Sequence, residues 1–203
     1  MQNFYLIRHG ETDWNIKLKK LQGHTDIPLN EKGFLQAERL AKMISSLKIS
    51  KVISSDLIRA QQTAKFLTQD QIETTRELRE VHLGIGEGLT WEDVEEELGP
   101  DFRAAWSANH ADNGDLRFPG GESRNEVLHR VQHCLQRYLK MHPNDNIAFI
   151  THGYVIRSLV YHLSSITEPF FVPNCAVVPF ALMEEGIKYT GPNTTTELLQ
   201  PII

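Results

Sequence analysis

Apolar and polar positions fall into two kinds of block along this chain. Phe4 to Ile7 is an unbroken apolar and aromatic run, the mark of a strand buried on both faces. Lys51-Val52-Ile53-Ser54-Ser55 and Asn146-Ile147-Ala148-Phe149-Ile150 repeat that pattern. Ile72 to Thr75 predicts a further short strand, and Asn174 to Leu182 another, in which Pro179 suggests an edge position or a bulge. Between these runs the apolar residues recur at helical spacing. Asn30 reads as the N-cap of a helix through Glu38 to about Leu47, with Leu35, Leu40, Ile44 and Leu47 on or near its core face. Ser55 or Asp56 reads as the cap of a helix that carries Arg59 in its first turn. Thr90 to about His110 reads as one acidic helix, ended by Asp112-Asn113-Gly114-Asp115. Ser123 and Glu126 form a capping box ahead of a stripe from Val127 to Leu139, and a last helix runs through Tyr161. The tail after Gly191 reads as a loosely packed end.

Strands alternate with helices, without repeats or Gly/Ser linkers. That order predicts an α/β fold, a three-layer sandwich whose parallel or mostly parallel sheet has helices on both faces. A length of 203 residues with 40% hydrophobic content predicts one domain over residues 1–203. The net charge of −5 offers no basic face for a polynucleotide, so nucleic acid is not an expected partner. No apolar run approaches the roughly 20 residues of a membrane span, and the N-terminus does not read as a signal segment. The expectation is a cytoplasmic protein that is a monomer or a homodimer, with no membrane partner. Cys134 and Cys175 show no metal spacing and read as buried thiols.

The chemistry sits at the ends of two strands. The first finishes in Arg8-His9-Gly10 and a later one in Thr151-His152-Gly153. Open α/β sheets bind ligands at the carboxyl ends of their strands. If both strands belong to one parallel sheet, His9 and His152 reach the same edge, with Arg8 beside them and Arg157 as a fourth cationic group. Such a pocket would bind an anion. Arg59 adds to it, because a cation in the first turn of a helix opposes the macrodipole and is not there for local stability. A planar guanidinium holds two phosphate oxygens at once.

Leu6-Ile7-Arg8-His9-Gly10-Glu11-Thr12 with Asn15, Ser55-Asp56-Leu57 with Arg59-Ala60 and Gln62-Thr63-Ala64, Glu80 ahead of Gly84, and Thr151-His152-Gly153 together resemble the histidine phosphatase superfamily, which includes the cofactor-dependent phosphoglycerate mutases. The resemblance runs from near residue 4 to about residue 180 and implies the phosphoglycerate mutase-like fold. It implies that His9 is the nucleophile and Glu80 the proton donor, and that Arg8, Arg59 and His152 hold the phosphate. Asn15, Gln22, Gly23 and Gly153 complete the expected phosphate site, the loop from Leu21 to Leu29 resembling one that helps close the active site. Neither Glu77 nor Glu87 fits the donor role as well as Glu80, and His24 reads as an exposed loop histidine. Many relatives carry tryptophan where Gly86 stands. Trp91, Phe102, Trp106 and Phe118 are candidates for lining the pocket, with core packing as the plainer role of each. Mutases carry a longer basic insert here, whereas this chain has only Arg103 and Arg117 between Glu92 and Glu122. The contrast favours the small, broad-specificity phosphatase branch.

Residue types give the same mechanism. A phosphate monoester dianion repels nucleophiles until its oxygens are neutralised, the task of Arg8, Arg59 and His152. A neutral His9, its other N–H held by a backbone carbonyl, attacks phosphorus while Glu80 protonates the departing oxygen and later takes a proton from water. A carboxylic acid in that role must be kept protonated by partial burial or by nearby negative charge. His152 is expected to work better protonated, stabilised by the phosphate it contacts. The expected partner is a small-molecule phosphate monoester, with no metal and no cofactor. A 2-His-1-carboxylate metal site is the alternative chemistry, and neighbouring arginines would repel its cation. A phosphoglycerate mutase and a non-catalytic anion-binding or interaction module are the alternative functions. Sugar phosphates, nucleotide-pathway monoesters, phosphoglycerates and the ribazole phosphate of cobalamin synthesis all remain candidate substrates.

Overall fold

A computed structural model describes residues 1–107, 114–166, 168 and 170–192. Six strands form one sheet: β1 (Gln2–Arg8), β2 (Lys51–Ser55), β3 (Glu73–Thr75), β4 (Ile147–Thr151), β5 (Val177–Met183) and β6 (Gly186–Tyr189), in the order β3-β2-β4-β1-β5-β6. The first four are mutually parallel, whereas β5 runs antiparallel to β1 and β6 to β5. The sheet is therefore mostly parallel, with an antiparallel edge.

Seven helices accompany it among the described residues: α1 (Asp13–Ile16), α2 (Glu31–Met43), α3 (Ile58–Ala64), α4 (Trp91–Leu98), α5 (Pro100–Ser107), α6 (Arg124–Met141) and α7 (Gly153–Leu163). Side chains alternate across each strand, and the buried runs divide accordingly between two cores. Phe4, Leu6, Ile53 and Phe149 pack with residues of α4 to α7, while Ile7, Val52, Ala148 and Ile150 pack with Leu40 of α2 and Ala60 and Ala64 of α3. Helices thus cover both faces of the sheet. β1 and β4 pair with Arg8 opposite Thr151, so His9 and His152 leave the same edge side by side.

Local chemistry adjusts several expectations. Asn30 does cap α2, but Leu35 is 55% exposed, because the inward line runs through Gly33, Ala37, Leu40 and Ile44 and position 35 lies on the other side of the helix. The helix expected from Thr90 to His110 is two helices, parted by Gly99 at φ 87° and restarted by Pro100. His110, the Asp112-Asn113 part of the predicted turn, and residues 193–203 of the tail lie outside the described residues. Neither Ser55 nor Asp56 caps α3; the carboxylate of Asp26 accepts the Ile58 N–H instead, at 2.7 Å. Pro179 sits in an interior strand. Its carbonyl accepts from Thr190 one position past the end of β6, so the missing N–H falls where the ladder has already stopped. The four residues of α1 and the strand β6 are additions to the predicted elements.

Candidate active site

The end of β1 is fixed from every side. The His9 N–H donates to the Thr151 carbonyl (3.1 Å), its own carbonyl accepts from the Asn174 amide (3.0 Å), and the Arg8 carbonyl accepts from the Cys175 N–H (3.1 Å). Gly10 donates to the Thr63 hydroxyl (3.0 Å) and lies against α2, where a Cβ would come within 2.6 Å of the Gly33 carbonyl. Close backbone approach, not an unusual dihedral, is what this position requires.

On that platform the His9 ring places Nδ1 2.7 Å from the Gly10 carbonyl. A carbonyl only accepts, so the proton is on Nδ1 and Nε2 keeps its lone pair. Burial first, then the Arg59 and Arg8 charges, hold His9 well below the ordinary imidazole range, so it is neutral near pH 7. The His152 ring lies 5.1 Å away between centroids. Its Nε2 is 2.9 Å from the Ser55 hydroxyl, and its buried Nδ1 has no hydrogen-bond partner. Burial first, followed by Arg59 and His9, also holds His152 well below its usual value. Set by the protein's own charges alone the ring is neutral; the expected imidazolium is that of the phosphate-bound site. Ser55 Oγ accepts from the Leu57 N–H (3.3 Å) and can still donate its own proton to His152 Nε2, in the tautomer that carries the imidazole proton on Nδ1.

Two guanidiniums flank the histidines. Arg8 donates through Nη1 to the Val172 carbonyl (2.5 Å), and Arg59 donates through Nη1 and Nη2 to the Thr25 and Gly23 carbonyls (2.8 Å each). The Nε of each is buried without a partner among the described residues. Burial pulls both down to about 10, against the attraction of Glu80, so both remain cations at neutral pH. A Cβ on Gly153 would stand 3.2 Å from Arg8 Nε. Glycine avoids that crowding of the nitrogen.

Glu80 faces this group from the segment after β3. Its carboxylate accepts from the backbone of Val81 (3.1 Å), Tyr154 (3.1 Å) and Val155 (3.3 Å), the last two in the first turn of α7, where the helix dipole favours negative charge. Arg79, its sequence neighbour, is turned away into a bidentate pair with Asp56. Glu11 bonds to Lys32 and Asn30 outside the cleft, and Glu77 to Arg137. Among these carboxylates only Glu80 lines the cleft.

Arg8, His9, Asn15, Gln22, Gly23, Arg59, Glu80 and Gly153 line one cleft of about 230 Å³, with His152 buried beside His9. The structure therefore brings every sequence-predicted site residue together. The Asn15 carbonyl oxygen caps Thr12, so its NH₂ is the end left for the cleft. Arg157 lines the cleft as expected, and so do Lys20, Tyr154 and Phe171, which the sequence reading did not single out. Tyr154 directly follows His152-Gly153 and could have been found from that spacing; Lys20 and Phe171 sit in loops with no periodicity to mark them. Trp91 and Trp106 line the cleft and also pack on the core, whereas Phe102 and Phe118 pack in the core without lining the cleft. Phe118 also explains Gly86, since a Cβ there would lie 2.6 Å from the Phe118 ring. His24 is half-buried and bonds through Nε2 to the Glu80 carbonyl (2.9 Å), so it is not the free loop histidine expected. Cys134 is buried and Cys175 half-buried, both thiols pushed up to about 12 by burial.

A mostly parallel sheet carrying two histidines, two arginines and a glutamate at one edge defines a phosphoryl-transfer class of site. The chain belongs to the histidine phosphatase superfamily (branch 1), whose model matches residues 4–195. Phosphoglycerate mutase-like protein 4 of Arabidopsis thaliana is 41% identical over 76% of this chain and 67% of its own length. The probable phosphoglycerate mutase GpmB of Cronobacter sakazakii is 37% identical over 79% of this chain and 74% of its own. Among solved structures, mycobacterial glucosyl-3-phosphoglycerate phosphatase has a TM-score of 0.83 at 25% identity, covering 94% of this chain and 97% of that one. Phosphoserine phosphatase of Entamoeba histolytica with 3-phosphoglyceric acid has a TM-score of 0.77 at 27% identity, covering 98% of this chain and 100% of that one.

Proposed function

We propose that this protein is a metal-independent phosphomonoester hydrolase acting on a small phosphorylated metabolite through a phosphohistidine on His9. One observation carries the reading. Arg8 Nε, Arg59 Nε and His152 Nδ1 are buried around His9 with no acceptor among the described residues. A buried N–H without a partner is destabilising by roughly 1–3 kcal/mol, so the two guanidinium N–H groups, joined by His152 Nδ1–H in the tautomer that accepts from Ser55, are explained by an oxyanion ligand. A phosphate monoester supplies those acceptors. His152 serves as a neutral donor through Nδ1, with no need to be an imidazolium.

In the reaction, His9 Nε2 attacks phosphorus as the bond to the ester oxygen breaks, and Glu80 gives that oxygen a proton. Water then attacks the phosphohistidine, losing its proton to Glu80, and inorganic phosphate leaves. The leaving group lies against Trp91, Trp106 and Tyr154, with Lys20 and Arg157 at hand for polar substituents.

The names of the curated relatives favour a second reading, a cofactor-dependent phosphoglycerate mutase, which shares the phosphohistidine but returns the phosphoryl group to substrate. Arg103 and Arg117 bear against it, because they pair with Glu95 and Glu126 and do not line the cleft. Rapid quenching during turnover of 3-phosphoglycerate should trap acid-labile, base-stable phosphate on His9, with hydrolysis outrunning isomerisation when bisphosphoglycerate is added. Phosphate on another side chain refutes the mechanism. Fast formation of 2-phosphoglycerate without phosphate release establishes the mutase.

A further inference from the structure

We infer that Glu87 is a positioning residue for the phosphate site, acting through the loop at residues 22–25 on Arg59; the inference rests on the proposal that Arg59 binds the phosphoryl group. The two cleft-facing residues of that loop, Gln22 and Gly23, precede a sharp bend with Gly23 at φ 49°. Glu87 holds the bend from behind. Its Oε1 accepts from the His24 N–H (2.7 Å) and the Leu83 N–H (3.3 Å), and its Oε2 accepts from the Thr25 hydroxyl (2.7 Å). The carboxylate lies so close to Gly23 that a Cβ there would fall 2.3 Å from Oε1. Glycine is therefore required twice, for its dihedral and for this approach.

The carbonyls on either side of the clamped His24 N–H do the positioning. Gly23 O and Thr25 O accept the two terminal nitrogens of Arg59 at 2.8 Å each. With both ends of the guanidinium tied to the loop, the unpartnered Nε has one orientation. The loop root is anchored separately, through Leu21 N–H to the Leu89 carbonyl and Gly88 N–H to the Leu21 carbonyl (2.8 Å each). Loss of the carboxylate should therefore free the bend without unfolding the loop. Arg59 would then keep its charge and lose its aim, a displacement of the kind that a transition state reads as roughly 10²-fold in rate.

A double-mutant cycle tests this with inorganic phosphate as the binding probe and a monoester as substrate. Glu87→Ala should weaken inhibition by phosphate and lower kcat/KM by about 10- to 100-fold. In an Arg59→Ala background the same substitution should change either quantity by less than about threefold, since its route of action is gone. Glu87→Gln should retain activity within about threefold, its amide oxygen still accepting from His24 while the Thr25 hydroxyl reverses to accept from the amide N–H. Thr25→Val removes one bond of the clamp and guards against misfolding of the alanine variant; its smaller loss should likewise vanish without Arg59. Equal losses with and without Arg59, or a fall in Tm alone, overturn the positioning role. If Arg59→Ala by itself leaves phosphate inhibition and turnover intact, the reading of the site fails and takes this inference with it.

Discussion

Two sets of arginines and acids lie back to back around the Glu80 segment, and they are satisfied in opposite ways. Behind it, Arg130 donates to both Glu122 oxygens (2.8 and 2.9 Å) and to the carbonyls of Glu77, Arg79 and Glu80. Arg79 grips Asp56, and Arg137 grips Glu77. Hydrogen bonds donated to those acids raise Arg79 and Arg137 above the ordinary guanidinium value. In front, Arg8 and Arg59 hydrogen-bond only to carbonyls among the described residues, keep there a bare Nε each, and are lowered by burial to about 10. A buried cation without an acid partner destabilises the fold. Under the proposed function a ligand explains its presence, whereas the paired set is explained by the fold alone.

The carboxylates divide along the same line, and the largest expected effect tests that division. Asp56, Glu77 and Glu122 are bonded to arginines, while Glu80 is held by backbone N–H groups. As the proton donor, Glu80→Gln should slow hydrolysis of alkyl phosphates by about 10²–10⁴-fold. A nitrophenolate departs without protonation, so the burst phase on an aryl phosphate should suffer far less. Equal burst losses on the two esters would remove Glu80 from the acid role and blur the distinction between the two sets.

A smaller contrast separates the arginines. Arg59→Ala should lower kcat/KM by roughly 10²–10³-fold, the scale of losing one donor to a developing oxyanion. Arg137→Ala should leave kcat/KM unchanged and reduce stability by about 1 kcal/mol or less, because its pair with Glu77 is partly exposed and screened. Kinetics and urea midpoints on the two variants make the comparison, and an Arg137 variant as slow as the Arg59 variant would sink it.

The front set was legible in the sequence and the back set was not, for a physical reason. Arg8-His9-Gly10 and Thr151-His152-Gly153 end uninterrupted apolar runs, and a parallel register then delivers them to one edge whatever the loops do. Arg59 could be read because a helix start is a poor place for a cation. The back set depends on distances that no period encodes: Glu122 to Arg130 spans a helix start and nearly two turns, Asp56 to Arg79 a helix and a strand. Glu87 is the same kind of case, in hydrogen-bond contact with the bend it holds and more than sixty residues from it in sequence. The Gly99-Pro100 break needed no tertiary information. Both residues carry the signal for a helix end and a restart, and the acidic run of Glu95 to Glu97 masked it.

The smallest effect separates the two sets by pH. His9 and His152 are both held well below 6.5 in the fold, burial being the first cause and Arg59 the next, whereas in the unfolded chain they titrate near about 6.5. Below that pH the unfolded chain binds more protons than the native one, so stability falls as pH drops from about 6.5 toward the lower native values, and nothing is lost above it. The back set behaves differently. Hydrogen bonds from Arg79, Arg137 and Arg130 keep Asp56, Glu77 and Glu122 below the ordinary carboxylate value despite their partial burial, so their contribution is full above roughly pH 4.5 and is lost only as pH falls through the native values beneath that. Between about pH 4.5 and 6.5 the slope of stability therefore reports mainly the histidines of the cleft. Urea midpoints of the parent protein should decline across that window, and those of a His9→Asn, His152→Asn double variant should decline less. Half-buried His24, also lowered chiefly by its burial, leaves a residual slope in both. Identical slopes for the two proteins would mean that the front set is not buried against its own charge, and the distinction between ligand-seeking and fold-keeping cations would lose its electrostatic basis.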